Sequence, residues 1–567
     1  MKVVIIGGVA GGATAAARLR RLDEEAEIIV LERSGYVSYA NCGLPYYLGG
    51  VIREKEKLTL QTPESFKARF NIDVRVREEA VAIDRAKKEV TVERLEDGSR
   101  YTEGYDKLIL SPGARPIRPP MPGIGLPGVF TLRTVEDTFA IREFMDEKKP
   151  RRAVVVGGGF IGLEAAENLL HAGLAVTLLQ KDDQVLLPLD RDMAAGIHGY
   201  LRRKGLDLRL GQTVEGFEPM AGGGIRTLLA GAEGVDADFV IFAIGVSPDT
   251  ALAREAGLEL GARGSIRVDD RMRTSDPDIY AVGDAVEIKN FVTGQPGLIS
   301  LAGPANKEGR IAADNICGRP SVYRGGQGSS VIRLFDMTAA STGLNERAAQ
   351  AAGVPYDRAV TYSASHATYY PGASNMTIKT LFDPESGRIL GAQIVGFEGV
   401  DKRIDVLASA IRAGMTAWDL QELDLAYAPP YSSAKDPVNM AGYVIGNVLD
   451  GLVKQFHWDE VDSLPRDGSV TLLDVRTPEE FAQGHIGGAV NIPVDELRQR
   501  LGELDPAKTV YVNCHSGLRS YIACRVLAGR GFDCRNLSGG WRYYSQVACD
   551  LAFDGDPRHP CGIPLGR

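Results

Sequence analysis

The sequence predicts an α/β protein with two dinucleotide-binding (Rossmann-like) domains, a further α+β region and a smaller α/β domain at the C-terminal end. Three observations predict this architecture. A strand, a glycine-rich turn and a helix follow one another at 3–22, and the same order recurs at 153–170. From about residue 458 a new series of short apolar strands and helices begins. Each series needs its own buried core, so we expect separate domains.

Length and composition narrow the function classes. A chain of 567 residues is too long for one core, and 44% hydrophobic and 25% charged residues are typical of globular proteins. The net charge of −9 argues against a general nucleic-acid binder. No apolar run approaches the ~18 residues of a membrane span, and the N-terminus enters a strand without a basic leader, so we expect a cytoplasmic protein. Seven scattered cysteines predict neither a disulfide framework nor a metal site.

The first nucleotide unit opens the chain. Its elements are the strand Val3–Ile6, the turn Gly7–Gly12, the helix Ala13–Leu22 and the strand Ile28–Leu31. Glycines at such a turn let the backbone approach a pyrophosphate on the helix N-terminus. Val9 replaces the usual middle glycine, and Gly7 and Gly12 remain. Glu32 stands where an acid binds a ribose hydroxyl.

The second unit has the full glycine pattern. Gly157, Gly159 and Gly162 follow the strand that starts at Ala153. The strand Ala175–Leu179 ends at Gln180 and Lys181 rather than at an acid. A neutral residue beside a cation removes repulsion toward a 2'-phosphate, so NADPH is possible and NADH is not excluded.

Several further motifs carry a family resemblance. They are Gly7–Gly12, Ser38–Pro45 around Cys42, Ala281–Asp284, Tyr369–Gly372 and Ala426–Pro437. With these motifs, residues 1–445 resemble the flavoprotein disulfide reductases, and among them the single-cysteine branch, the coenzyme A-disulfide reductases.

The resemblance implies two cofactors. FAD would bind the first unit, with Glu32 on the ribose and Asp284 on the ribityl chain, and NADH or NADPH would bind the second. The implied FAD positions are Gly7, Val9, Gly12, Glu32, Arg33, Ser111, Pro112, Gly113, Asp284 and Ala302. The implied nicotinamide-nucleotide positions are Gly157, Gly159, Phe160, Ile161, Gly162, Gln180, Lys181 and Gly245.

Cys42 has no cysteine within reach along the chain, so its resolving thiol must come from outside. In the family that thiol is coenzyme A. The matching positions are Thr14, Arg18, Arg21, Ser38, Asn41 and Lys435, and Arg and Lys suit its phosphates. Phe70 departs from the family, which can carry a lysine there. A reactive thiol needs a lowered pKa, which a flavin and a helix N-terminus could supply.

Tyr369 and Tyr427 match tyrosines that reach across the dimer to the redox cysteine in the family. A phenol can hydrogen-bond a leaving thiolate or donate a proton to it. The resemblance therefore implies a homodimer, with residues 326–445 as its dimerisation domain.

Cys514 follows the apolar run Val510–Val512 and is separated by four residues from Arg519. Such a loop after a strand points backbone N–H groups inward, toward a thiolate or persulfide. The motifs Leu473–Phe481, Gly484–Ile486 and Leu537–Trp541 make residues 458–550 similar to a rhodanese domain. The cysteine loop of tyrosine phosphatases has five intervening residues, and the smaller loop here favours sulfur over phosphate.

The resemblance implies roles for the residues around Cys514. Cys514 would carry sulfane sulfur, and Arg519 would orient the loop or bind an anionic donor. Asp474, Arg476 and His485 are expected to be structural. A regulatory or binding module without activity is the alternative for this domain.

The predicted boundaries follow from these motifs. They are 1–112 with 246–325 for FAD, 113–245 for NAD(P)H, 326–445 for dimerisation, 446–457 as linker, 458–550 as rhodanese domain and 551–567 as tail.

The expected activity is reduction of coenzyme A persulfide, polysulfide or coenzyme A disulfide by NAD(P)H, with Cys514 delivering sulfane sulfur toward Cys42. Two rivals stay open. One is an NADH oxidase that reduces O2 through a Cys42 sulfenic acid. The other is a non-enzymatic redox sensor whose C-terminal domain docks a partner.

Overall fold

The computed structural model describes residues 1–553 of the chain. These residues form two compact units: Met1–Asp183 with Gly205–Gly328, and Gln184–Lys204 with the chain from Ser329 onward. In the described part, no helix has the length and apolar character needed to cross a bilayer. Most of the predicted tail, including Cys561, lies outside the described residues.

The first unit contains a five-stranded parallel sheet that matches the first predicted nucleotide unit. In spatial order its strands are Ile279–Ala281, Lys107–Leu110, Lys2–Ile6, Glu27–Glu32 and Asp73–Val76. Its central strand is apolar and almost wholly buried, as a parallel sheet covered on both faces requires. The helices Ala10–Leu22 and Ala302–Ile316 cross so closely that a Cβ at Gly309 would lie 2.3 Å from the Gly11 carbonyl oxygen.

A second parallel sheet repeats this topology. Its strands, in spatial order, are Val129–Phe130, Phe239–Phe242, Arg152–Val156, Ala175–Leu179 and Asp207–Arg209. The helix Phe160–His171 follows the central strand, just as Ala10–Leu22 does in the first sheet. The two units predicted from the glycine motifs are therefore both present.

Smaller elements complete the first unit. The antiparallel three-stranded sheets are Glu78–Asp84, Glu89–Arg94, Arg100–Gly104 and Val214–Pro219, Ile225–Leu229, Ala232–Ala237. The short strands are Val37–Tyr39, Thr59–Gln61, Ala114–Pro116, Val246–Pro248, Ile266–Arg267, Val286–Lys289 and Pro296–Gly297. The remaining helices are Leu44–Leu48, Pro63–Phe70, Val135–Lys148 and Ala251–Glu255.

The second unit begins its main part with a five-stranded antiparallel sheet. In spatial order the strands are Ser330–Leu334, Met337–Gly343, Ile389–Gly396, Asn375–Phe382 and Asp357–Ala364. The helices are Glu346–Ala352, Val400–Ala413, Ala417–Glu422 and Pro437–Leu449. Every residue of Ile389–Gly396 is buried, so this strand forms the centre of the α+β region.

A five-stranded parallel sheet forms the C-terminal domain. Its strands, in spatial order, are Lys454–Phe456, Cys534–Leu537, Val510–Asn513, Thr471–Asp474 and Val490–Asn491. The helices are Pro478–Ala482, Leu497–Arg500, Leu518–Ala528 and Gly540–Leu551. Cys524 and Cys534 lie in its hydrophobic core, in agreement with the absence of any motif around them.

The predicted linker at 446–457 is not observed. The helix Pro437–Leu449 continues through its first part, and Lys454–Phe456 pairs in parallel with the strand Cys534–Leu537. Ile445, Val453 and Phe456 are buried, so this segment packs into the fold. The connection between the two regions shortens to residues 450–453.

The helix Arg191–Arg203 falls within the predicted NAD(P)H domain but packs in the second unit. Gly196 allows close approach of the C-terminal helix, because a Cβ there would lie 2.7 Å from Gln546 Nε2. The buried Asp550 carboxylate contacts His198 Nδ1 at 2.7 Å and Arg202 Nη1 at 2.8 Å. The hydrophobic pattern of the sequence does not predict these polar contacts.

Lys379 is the centre of a buried charge cluster in the second unit. Its ammonium pairs with Asp190 at 3.0 Å, with Asp192 at 2.7 Å and with Glu346. Trp458 Nε1 donates to Asp192 Oδ2 at 2.9 Å. The three carboxylates are close enough together to hold a cation, and the lysine supplies it. Those carboxylates raise the pKa of Lys379 despite its full burial.

Candidate active sites at Cys42 and Cys514

The first glycine turn is shaped for close backbone approach. A Cβ on Gly7, whose φ is +98°, would lie 2.1 Å from the Ser111 carbonyl oxygen. A Cβ on Gly12 would lie 1.9 Å from the Gly7 carbonyl oxygen. Only glycine fits these two positions, and the helix N-terminus behind them stays open to an anion.

Glu32 lies at the end of the neighbouring strand, as predicted. Its carboxylate accepts from Gly8 N at 2.7 Å and from Ser34 N at 2.9 Å. Burial nevertheless raises its pKa. The other expected FAD positions lie in this turn, follow strands of the same sheet or begin the helix Ala302–Ile316. Among them, Arg33 pairs with Asp249 at 2.8 Å.

The second turn repeats the first with one chemical difference. Cβ atoms on Gly157 and Gly162 would lie 2.3 Å and 1.9 Å from backbone carbonyl oxygens. Gln180 Oε1 accepts from Gly158 N at 2.7 Å, so the amide takes the place that Glu32 has beside the first glycine turn. Lys181 is exposed beside it. Gln180 Nε2 in turn donates to Asp182 Oδ2 at 2.9 Å, so a carboxylate lies next to the neutral amide and the exposed lysine.

The remaining positions expected on the second nucleotide lie along this turn. Gly159 is the N-cap residue of the helix, and Phe160 and Ile161 are in its first turn. Gly245 follows the buried strand Phe239–Phe242 and has a φ of +126°. Both glycine turns thus fit the diphosphate of a dinucleotide.

Cys42 lies in the short turn Asn41–Gly43 ahead of the helix Leu44–Leu48, and its side chain is exposed. With its amide oriented toward the guanidinium, Asn41 accepts from Arg133 Nη1 and donates to the Arg133 carbonyl oxygen at 3.0 Å. Arg133 Nη2 donates to Asp284 Oδ2 at 2.9 Å. Arg133 thus connects the cysteine turn to the acid expected on the flavin side.

The chain's own groups make Cys42 a weaker acid than an ordinary thiol. Burial of the sulfur's surroundings raises its pKa, the Glu164 and Asp284 carboxylates raise it further, and Arg133 opposes them. The charged side chains around Cys42 therefore do not supply the expected lowering of its pKa. Tyr46 donates to Glu164 Oε1 at 3.4 Å, and burial raises the pKa of Glu164 to about 7.

The positions expected to bind coenzyme A are only partly grouped. Thr14 donates to Asn306, and Arg18 pairs with Asp314 at 2.7 Å, so this cation is already neutralised. Arg21 is exposed, and Ser38 adopts a left-handed φ of +47°. Lys435 is exposed in the second unit. The binding of coenzyme A by these six positions stays a prediction.

Tyr369 and Tyr427 lie together in the second unit. Their hydroxyls are 2.7 Å apart, and the side chains are 75% and 47% exposed. The hydrogen bond with Tyr427 raises the pKa of Tyr369. Tyr427 also lines a cavity of about 560 Å³ together with His366 and Arg403. Two exposed phenols held as a pair have hydroxyls available to an external group.

The Cys514 loop is a cradle for its sulfur. Cys514 is 1% exposed, and its Sγ accepts from Gly517 N at 3.1 Å and from Ser520 Oγ at 3.2 Å. Both donors favour an anion at this atom. The inward-pointing N–H groups inferred from the loop length are represented here by Gly517.

A second loop supports this cradle from behind. Trp541 N donates to the Cys514 carbonyl oxygen at 2.7 Å, and Arg542 N donates to that of His515 at 3.0 Å. A Cβ on Gly540 would lie 2.6 Å from the Cys514 carbonyl oxygen. Val360 N of the antiparallel sheet donates to Ser538 Oγ at 3.0 Å, so the supporting loop is itself anchored.

Arg519 orients the loop. Its guanidinium donates to both Glu480 oxygens, at 2.7 and 2.8 Å, and lowers the pKa of Glu480 to about 2. An anionic donor would have to displace this pair, so the orienting role is favoured over anion binding.

The three residues expected to be structural behave so. Arg476 and Asp474 are a buried pair joined at 2.6 Å. His485 stacks on Phe481 with ring centroids 3.8 Å apart. They stabilise the sheet ends beside the cysteine loop.

Three neighbours of the cysteines were missed by sequence reasoning. Ser520 directly follows Arg519, so its position at the end of the loop could have indicated a contact with Cys514. Glu164 lies one turn into the helix after the second glycine turn. Arg133 precedes the capping box formed by Thr134 and Asp137, and nothing local connects it with Cys42.

Comparison with known proteins agrees with the predicted fold class. The pyridine nucleotide-disulphide oxidoreductase family matches residues 1–309, its dimerisation domain 330–437 and the rhodanese-like domain 457–546. A coenzyme A disulfide reductase of Staphylococcus haemolyticus is 36% identical over 443 residues, covering 78% of this chain and 98% of the relative.

Two solved structures extend over the C-terminal domain as well. The reduced CoADR-RHD of Bacillus anthracis is 49% identical with a TM-score of 0.94, covering 96% of this chain and 98% of that one. An NAD-dependent persulfide reductase from A. fulgidus is 41% identical with a TM-score of 0.89, covering 96% of this chain and 100% of that one. The chain therefore belongs to the pyridine nucleotide-disulphide oxidoreductases, in the coenzyme A disulfide reductase group that carries a C-terminal rhodanese domain.

Proposed function

We propose that this enzyme uses NADH or NADPH, through bound FAD, to reduce the sulfur–sulfur bond of coenzyme A persulfide at Cys42, and that Cys514 supplies the sulfane sulfur. Polysulfide and coenzyme A disulfide are the related substrates. The observation that carries the proposal is the fusion of a lone exposed Cys42 to a Cys514 whose sulfur sits in a cradle of donors.

Both cofactors fit the residues present. The turns at Gly7–Gly12 and Gly157–Gly162 admit close backbone approach, and Glu32, Asp284 and Gln180 line the expected sites. When bound, FAD carries electrons from the nicotinamide to the cysteine, which is chemistry that amino-acid side chains lack. It also offers the stabilisation of the Cys42 thiolate that the surrounding protein groups do not.

Cys42 acts as the nucleophile in this proposal. Its thiolate attacks the coenzyme A sulfur of the persulfide, forming a mixed disulfide and releasing HS⁻. Two electrons then cleave the mixed disulfide to two thiolates, and the nicotinamide is oxidised. Arg133 and Asn41 hold the turn that presents the sulfur.

Tyr369 and Tyr427 are proposed to serve the site in a homodimer. Their paired, exposed hydroxyls are suited to protonating a departing thiolate. The match to the family's dimerisation domain supports a dimer in which each copy presents these phenols to the other.

The C-terminal domain favours persulfide over coenzyme A disulfide. The Staphylococcus relatives align with 78% of this chain and 98 to 99% of their own length. The persulfide reductase from A. fulgidus and the CoADR-RHD of Bacillus anthracis each cover 96% of the chain, so both include the C-terminal domain and coverage does not separate the two substrates. A carrier of sulfane sulfur has no use for a disulfide that contains none.

A sulfide-release assay tests the proposal. Wild type, Cys42→Ser and Cys514→Ser are compared with NADH and with NADPH on coenzyme A persulfide, polysulfide and coenzyme A disulfide. We expect Cys42→Ser to abolish every reduction, and Cys514→Ser to impair chiefly bulky or protein-borne donors. Wild-type rates in both variants with every substrate would contradict the proposal.

A further inference from the structure

The rhodanese domain carries a cleft that the chemistry above does not use. The cleft has a volume of about 410 Å³ and lies between the helix Leu518–Ala528 and residues near the helix Leu497–Arg500. Its floor is apolar, with Leu501, Tyr521 and Val526. Three arginines surround it, namely Arg498, Arg525 and Arg530.

The three cations are available to a ligand. Within residues 1–553 none of them forms a salt bridge, and the one hydrogen bond among them runs from Arg525 Nη1 to the Leu452 carbonyl oxygen. Arg500 behaves differently on the same short helix, because it pairs with Glu496 at 2.9 Å and Glu503 at 2.6 Å. On a chain with a net charge of −9, three guanidinium groups around one cleft, without an acidic partner among the described residues, select an anion.

An exposed apolar stripe leads from the cleft to the Cys514 loop. Leu518 is 63% exposed and Ile522 is 40% exposed, one helical turn apart. Ile522 also lines the cleft, together with Arg525 and Arg530. At 1.5 Å per residue, the path from Leu518 to Arg530 is roughly 18 Å long. Leu518 belongs to the loop that opens at Cys514.

We infer that this cleft binds the phosphate-bearing end of coenzyme A, with the thiol arm lying along Leu518 and Ile522 toward Cys514. The inference rests on the proposed function, in which coenzyme A carries the sulfur. Coenzyme A has phosphates at one end, an amide-linked arm with methyl and methylene groups, and a thiol at the other end. Cations, an exposed apolar stripe and a persulfide follow in the same order here.

The transfer at this site is balanced without a reductant. The thiolate of coenzyme A attacks the outer sulfur of the Cys514 persulfide, and the bond between that sulfur and Cys514 breaks. Coenzyme A persulfide forms, and Cys514 departs as a thiolate stabilised by Gly517 N and Ser520 Oγ. No net oxidation or reduction occurs, so the step needs neither nicotinamide nor flavin.

The test is a single-turnover sulfur transfer without NAD(P)H, in a Cys42→Ser background. Full-length protein is loaded with isotopically labelled sulfane sulfur on Cys514 and mixed with coenzyme A, pantetheine or cyanide. Removing one arginine that binds a phosphate weakens binding about tenfold, so Arg498→Gln with Arg530→Gln should raise the half-saturating coenzyme A concentration at least tenfold. Pantetheine and cyanide transfer should not change, which also shows that the domain is folded.

Arg500→Gln is the matched control, since it removes a neighbouring guanidinium that is already paired. The double variant Arg498→Lys with Arg530→Lys should recover part of the affinity. Equal half-saturating coenzyme A concentrations in the Arg500→Gln and double-glutamine variants would overturn the inference. Equal half-saturating concentrations of coenzyme A and pantetheine in the protein with native residues at 498 and 530 would also overturn it. Reduction of added coenzyme A persulfide at Cys42 is measured separately with the native cysteine, so failure here leaves the proposed function testable on its own.

Discussion

Cys42 and Cys514 both stand in short turns, yet the chain surrounds their sulfur atoms in opposite ways. Cys514 is buried and receives hydrogen bonds from Gly517 N and Ser520 Oγ. The Cys42 side chain is exposed, yet desolvation by its surroundings and then the Glu164 and Asp284 carboxylates raise its pKa. A cradle built only from protein donors suits a stored persulfide. A thiol whose thiolate form is not stabilised by nearby side chains depends on a bound cofactor for that stabilisation. Such a thiol suits a site that reacts only when the cofactor supplies electrons.

The largest expected effect separates the two sites at Gly540. Gly540→Ala places a Cβ 2.6 Å from the Cys514 carbonyl oxygen at a φ of +64°, so the cradle must distort. We expect sulfur transfer from Cys514 to fall by about a hundredfold, from roughly 3 kcal/mol of steric strain. Reduction of supplied coenzyme A persulfide should be unchanged.

Gly531→Ala is the control for that change. Its φ of +83° is equally left-handed, but nothing lies within 4 Å of the added Cβ. Both variants therefore carry backbone strain, and only Gly540→Ala touches the loop. If both variants lost sulfur transfer, or if neither did, the shape of the Cys514 loop would not explain the transfer rate.

A charge at Gln180 should affect only the Cys42 side. Gln180→Glu copies the acid found at Glu32 and brings a carboxylate toward a 2'-phosphate. We expect kcat/KM with NADPH to fall about tenfold or more relative to NADH, from the repulsion of like charges. Sulfur transfer from Cys514 without nicotinamide should stay the same. An unchanged NADPH-to-NADH ratio would show that Gln180 does not face the 2' position.

Ser520→Ala should weaken the Cys514 cradle without distorting it. One of two donors to Sγ is removed, and a hydrogen bond to a charged group is worth about 1.5–3 kcal/mol. The single-turnover transfer rate should therefore fall about tenfold. Ser545→Ala, whose hydroxyl contacts the Arg542 carbonyl oxygen, serves as control and should leave the transfer rate unchanged.

Glu164→Gln should give the smallest change, and at Cys42 only. Glu164 has a pKa of about 7, so above that pH its negative charge raises the pKa of Cys42. The neutral glutamine removes this repulsion, and Cys42 in the protein without FAD should be alkylated faster above pH 7. Below pH 7 Glu164 is already protonated, and the rates should converge. A difference that persists at low pH would point to a structural effect instead.

Much of the fold could be read from the sequence, because glycine turns between apolar strands have few other structural solutions. Residues 7–12 and 157–162 predict both parallel sheets, and Cys514 through Arg519 predict the sulfur-binding loop. The helix Arg191–Arg203 could not be assigned to the second compact unit, since its His198 contacts Asp550, which is 352 positions away in the chain. The predicted linker failed because a three-residue edge strand, Lys454–Phe456, leaves too short a pattern.

The candidate site was less readable than the fold. Cys42, Asn41 and Asp284 follow motifs, whereas Arg133, which joins Asn41 to Asp284, belongs to no motif. Arg18 pairs with Asp314 of a helix far along the chain, a contact that no local motif records. Electrostatic partners brought together by tertiary packing decide such roles, and single-sequence patterns do not record them.

The central claim is that sulfane sulfur enters at Cys514 and is reduced at Cys42. The most direct measurement is rapid quenching after mixing the FAD-loaded enzyme with a labelled sulfane donor, coenzyme A and NADH or NADPH, followed by mass spectrometry of both cysteine peptides. The account predicts labelled persulfide on Cys514 first, then an unlabelled coenzyme A adduct on Cys42, and labelled sulfide in solution. Labelled persulfide on Cys42 at an undiminished rate in Cys514→Ser would contradict it.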